Sequence, residues 1–149
     1  MTFLPTIRSQ SDLQDAWSHL MGPLGFAGHS VWLMMIDHDD RPVPHLTQIE
    51  EAAAPPDGEW TAGLAETLRM LRDEFVPEGR IAFLRSRPGA AGITGNDRAW
   101  AQALYDTGRL AGVPVEVVHR ACDVDLVPIP MDEVCWPHRP EQSAGRMWG

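Results

Sequence analysis

The sequence predicts one α/β domain, a three-layer α/β/α arrangement around a mixed central sheet. Three observations predict it. The run Val31–Ile36 is apolar without alternation, the pattern of a strand covered on both faces. Two apolar stripes at helical spacing, Trp60-Leu64-Leu68-Leu71-Phe75 and Trp100 to Leu110, supply helices to cover it. Read along the chain, the elements follow in the order α-β-β-α-β-α-β-β, a mixed sheet with helices on its faces.

Each element has local reasons. Ser11-Asp12-Leu13-Gln14 reads as a capping box, Leu13, Trp17 and Leu20 follow at helical spacing, and Gly22-Pro23 stops the helix. After Val31–Ile36, Asp37-His38-Asp39-Asp40 is turn chemistry, and Pro42–Ile49 returns as a neighbouring strand. Ala52–Gly58, with two prolines and a glycine, is a loop before the Trp60–Phe75 helix, which Pro77 and Gly79 end. Ile81–Leu84 is a short strand and Ser86–Asn96 a glycine-rich loop. Thr94-Gly95-Asn96-Asp97 opens the third helix, with Trp100 and Leu104 facing inward and Gly112 ending it. Val113–Val118 and Val124–Ile129 are the remaining strands, β-branched and apolar. Residues 1–136 are expected as the domain and 137–149 as a polar tail.

Composition narrows the function. The chain has 149 residues, 44% hydrophobic and 22% charged, which are globular values. Twenty-one acids against twelve bases give −9, and every base is arginine. No basic stripe is available to track phosphates, so nucleic-acid partners are not expected. Val31–Ile36 is the longest apolar run, far short of the ~20 residues that span a bilayer, so no membrane partner is expected either. MTFLPTIRSQ does not read as a secretory signal, and two cysteines are too few for a disulfide framework. A cytoplasmic location is the expectation. Neither a Gly-X-Ser-X-Gly elbow nor a phosphate-binding loop is present.

Two constellations carry chemistry. His119-X-X-Cys122, twelve residues, then Cys135-X-X-His138 has the arithmetic of a closed Cys₂His₂ zinc site stapling the tail to the last strands. The other reading puts His119 at a strand end and Cys122 in the core as a small hydrophobe. The second constellation is Arg85-Ser86-Arg87-Pro88-Gly89 … Thr94-Gly95-Asn96-Asp97, after a strand and opening a helix. Period-two spacing puts Arg85 and Arg87 on one face of the sheet. Thr94 and Asp97 make a capping box, and Asp97 complements the helix dipole.

This second stretch resembles the metal-binding segment of the JAB/MPN (JAMM) metalloprotease superfamily, His-X-His-Pro-Ser-Gly … Ser-X-X-Asp, and is most similar to the RadC branch. Downstream, Leu104 … Gly108-Arg109-Leu110-Ala111-Gly112-Val113-Pro114-Val115 resembles that family's leucine-rich helix, its Leu-Gly-Ile-Pro turn and the following strand. Upstream, the apolar strand ending at Asp37 resembles its first core strand. The resemblance covers about residues 28 to 130 and implies a JAB/MPN-like, cytidine-deaminase-like fold.

In that family two histidines and the aspartate hold zinc, and a glutamate acts as general base. Here the histidine positions are Arg85 and Arg87, the glutamate position falls nearest His29, Thr94 stands in the serine place, and only Asp97 is kept. Guanidinium has no lone pair for a metal, and two arginines add +2 where a dication should bind. No metal is therefore expected at that position. The resemblance implies a non-catalytic binding or scaffolding module with no cofactor. Its former active site, lined by Arg85, Arg87, Asp97, Thr94 and His29, would present arginines to an anionic small ligand or to an acidic group of a partner protein. A homodimer is a further expectation. The alternative is a zinc-dependent hydrolase with a non-standard ligand set such as His29, Asp97 and another histidine.

Overall fold

A computed structural model describes residues 6–50, 54 and 56–131. Eight elements follow in order: α1 (Gln10–Met21), β1 (Ser30–Ile36), β2 (Pro42–Glu50), α2 (Gly58–Phe75), β3 (Arg80–Ser86), α3 (Gly95–Ala111), β4 (Val118–Ala121) and β5 (Leu126–Ile129). They build a five-stranded sheet in the order β2-β1-β3-β4-β5. The β1–β2, β1–β3 and β4–β5 pairs are antiparallel and β3–β4 is parallel, with α3 as its crossover. This is the three-layer α/β architecture the sequence predicts. No described helix is long and apolar enough to cross a membrane.

Period-two alternation sorts the strands onto two cores. Val31, Leu33 and Met35 join Ile81, Phe83, Val118 and Ile129 on the face covered by Leu68 of α2 and by Trp100 and Leu104 of α3. Met34, Ile36, Ala82 and Leu84 face Leu13, Ala16 and Trp17 of α1. Burial on both sides explains why β1 shows no polar alternation.

Several boundaries move. α1 is capped by Ser9, not Ser11: the Ser9 hydroxyl accepts from the Asp12 amide at 3.1 Å, and Asp12 accepts from the Arg8 amide at 3.0 Å. Starting two residues earlier moves Asp12 to the third helical position, where its side chain reaches back to the Arg8 amide and its charge complements the free amides. The α2 stripe ends before Phe75, which is 54% exposed, because the helix stops there and Val76 turns into the core instead. In the predicted strand Val113–Val118, residues 113–117 make only one isolated bridge, Ile81 to Val115; regular pairing begins at Val118↔Ile129 and Leu84↔His119. Between the Ile81–Val115 bridge and Leu84↔His119 the register to β3 shifts by one residue, and the Val118 amide donates to Tyr105 Oη at 2.9 Å, so β4 spans only Val118–Ala121. Val124 is exposed ahead of β5. Gly112 caps α3 in the left-handed region, as expected. The 137–149 tail lies outside the described residues.

The turn into β3 has no room for a side chain. A Cβ on Gly79 would stand 2.3 Å from the Ile36 carbonyl oxygen and 2.8 Å from that of Val76. Both obstacles are backbone, so Gly79→Ala is expected to cost about 1–3 kcal/mol, read as a lowered urea midpoint with unchanged slope.

Candidate functional site

The sheet brings residues distant in sequence to one end of the molecule. Antiparallel β1–β3 pairing sets Ser30 opposite Ser86 and Val31 opposite Arg85, so the start of β1 adjoins the end of β3. α3 begins beside them, its capping box closed in both directions: Thr94 Oγ1 accepts from the Asp97 amide, and Asp97 Oδ2 accepts from the Thr94 amide, each at 3.0 Å. His29, Arg85, Arg87, Thr94 and Asp97 therefore meet.

Asp97 is the hub, and it has no exposed surface. Arg85 Nε donates to Oδ1 at 3.0 Å. Arg87 Nε donates to Oδ1 at 2.9 Å and its Nη2 to Oδ2 at 3.0 Å, a bidentate fork. Each carboxylate oxygen thus accepts at least two hydrogen bonds. Burial pushes the Asp97 carboxyl up, but the bonds from Arg87, Thr94 and Arg85 outweigh it and hold the pKa at about 2. The Arg87 guanidinium is raised above its ordinary value, chiefly by its bonds to Asp97. Arg85 is lowered by burial; it lies 5.7 Å from the Trp100 ring centroid and 3.2 Å, through Nη2, from His29 Nδ1. His29, half-buried, is lowered by desolvation and by the two guanidinium charges.

The rest of Arg87 holds the loop. Its Nη1 donates to the Pro88 and Ala90 carbonyls and its Nη2 to Gly92, at 3.0–3.2 Å. Together with Asp97 these occupy all five guanidinium N–H groups. Gly92, at φ +104°, adopts a conformation L side chains rarely take, which aims its carbonyl at the cluster. A third arginine converges there. Arg120, fully buried, donates through Nη1 to the same Gly92 carbonyl at 2.6 Å and pairs with Asp125. Asp123 fastens the rim, accepting from the Phe26 amide at 3.0 Å and the Gly89 amide at 2.9 Å; these bonds lower its pKa.

Sequence reasoning missed Arg120 and Asp125. Only the parallel register that sets Arg85 beside Arg120 brings them in, and hydropathy gives no sign of a buried arginine. The expected side-by-side placement of Arg85 and Arg87 is present, but they close on Asp97 instead of opening to solvent. Asp97 pairs with both arginines and caps the helix at once.

These residues do not fit a catalytic zinc. The guanidiniums have no lone pair, both Asp97 oxygens are engaged by N–H donors, and His29 Nδ1 faces Arg85. Among the described residues, no group of three or more His, Cys, Asp or Glu is placed to hold a metal. In the second constellation, His119 is buried on the α1 face of the sheet, Nδ1 3.1 Å from the Val117 carbonyl, while the Cys122 thiol turns to Asp125 Oδ1 at 3.4 Å. Cys135 and His138 lie outside the described residues.

No protein-family model matches the chain, and no curated protein matches it.

Proposed function

We propose that this chain is a non-catalytic domain of the JAB/MPN kind, RadC-like in its motif, that works as a binding or scaffolding module. The observation that carries the reading is convergence. Positions 29, 85, 87 and 97, picked out by resemblance from three separate stretches of sequence, meet at one end of the sheet around a buried carboxylate. Two guanidiniums supply the positive charge that a metal cation would otherwise set against Asp97. They do so without a Lewis-acid centre or an open coordination position, so the cluster braces the loop 88–92 and the start of α3 and activates no water.

An anionic small ligand would have to displace Asp97 from Arg87, whose N–H groups are all engaged. The partner in this reading is therefore a protein surface and not a small anion.

The test is zinc titration by calorimetry, alongside hydrolysis of peptide and isopeptide substrates with added metal. We expect no metal-dependent hydrolysis and no heat of binding that depends on the cluster. Metal-restored cleavage would overturn the reading. Zinc that copurifies is expected to leave in Cys122→Ser, because that thiol and the 135–138 stretch hold the remaining soft donors. Zinc retained by Cys122→Ser would place it elsewhere and overturn the Cys122 assignment.

A further inference from the structure

The sheet ends differently on its two sides. At the β5 edge the outward-facing Leu126 carbonyl is already taken, accepting from Gln14 Nε2 at 3.0 Å. Pro128 removes an amide from the same strand. That edge is closed. β2, at the other edge, is nine residues long, and no hydrogen bond from the described residues reaches its outer side.

Soluble proteins blunt such an edge with charge, especially lysine, or with proline. This chain has no lysine, and the prolines of β2 stand at its start, Pro42 and Pro44. The run His45-Leu46-Thr47-Gln48-Ile49-Glu50 is free of proline and carries a single acid. Its apolar side chains are half covered: Ile49 packs against the α2/α3 core and Leu46 against the α1 core. A strand added outside β2 would complete both layers.

Resting on the scaffolding reading, we propose that the occupant is β2 of a second copy, paired antiparallel about a two-fold axis perpendicular to the sheet. Such an axis keeps each face on its own side, so Ile49 of both copies extends one core and Leu46 of both the other. The chain as a whole repels its copy at −9, but this strand contributes only one negative charge of its own to that repulsion. Six residues of edge pairing bury less than the ~1,200 Å² of a stable interface, so the dimer is weak and concentration-dependent.

The experiment is sedimentation equilibrium of the full chain from about 10 μM to 1 mM, with amide hydrogen exchange at the two extremes. Wild type is expected to dimerise reversibly, with residues 45–50 gaining protection at high concentration. Gln48→Lys, exposed and near the dyad, sets two lysines against each other and is expected to weaken dimerisation tenfold or more, although it lowers the net charge. Ala62→Lys, exposed on α2, adds the same charge away from the edge and is expected to leave dimerisation unchanged. A monomer throughout, or a dimer indifferent to Gln48→Lys with 45–50 unprotected, would overturn the proposal. Either result leaves the non-catalytic reading standing, since that falls only with metal-dependent activity.

Discussion

Asp97→Ala is expected to cost about 3–5 kcal/mol, enough to unfold much of the population of a domain of ordinary stability. The reason is what it leaves behind. Arg85 and Arg87 are both buried, and without Asp97 the Arg87 guanidinium loses its bidentate carboxylate in the interior while Arg85 loses the carboxylate facing its Nε. The α3 cap loses its reciprocal bond to the Thr94 amide in the same stroke. Urea denaturation followed by tryptophan fluorescence measures it. Replacing the triad together, Arg85→Met/Arg87→Met/Asp97→Leu, removes charge and counter-charge at once and is expected to recover part of the loss. It cannot recover all, because the Pro88, Ala90 and Gly92 carbonyls lose their Arg87 donor. An Asp97→Ala protein within about 1 kcal/mol of wild type would show that the ion pairs do not hold the site.

The second large effect is on acid stability. His119 is fully buried between Leu84 and Pro128 on the sheet, on the face that Leu13, Ala16 and Trp17 of α1 cover, and its Nε2 has no hydrogen-bond partner among the described residues. Burial lowers its pKa from 6.5 to about 4, against a small opposing effect of the Val117 carbonyl. The unfolded chain therefore binds a proton that the folded chain refuses. Stability is full above about pH 6.5, falls as pH drops, and levels off near pH 4, with a total loss on the order of 3 kcal/mol. Asp97 acts in a lower window. Its carboxyl is held at about 2, so its contribution persists at pH 4 and is lost only as pH falls from 3.8 through 2. Urea midpoints from pH 8 to 3 are expected to show the first decline in wild type and a flattened one in His119→Leu. The same slope in both proteins would remove His119 as the cause.

The element order, the placement of β1 and β3, the apolar stripes of α2 and α3 and the Thr94–Asp97 cap are legible in the amino-acid sequence. Those signals are carried by residues within a turn or two of each other, so near-neighbour sterics, hydrogen bonding and periodicity are enough to write them. Even so, Ser9 displaced Ser11 as the α1 cap, because two hydroxyls two residues apart offer rival starts and the Asp12 bonds choose between them. The fate of the charges, by contrast, is set by long-range contacts. Arg85 and Arg87 read as surface groups flanking an open mouth. Antiparallel pairing with β1, parallel pairing with β4 and the close of α3 seal them instead against Asp97, with Arg120 arriving from β4 beside them. An arginine's burial depends on whether a carboxylate and a set of carbonyls reach it, and those partners come from up to 28 residues away, as Gly92 does to Arg120. Hydropathy along one strand contains no record of that geometry, which is why the pattern predicts a strand from Val113 and does not mark the buried His119-Arg120 pair.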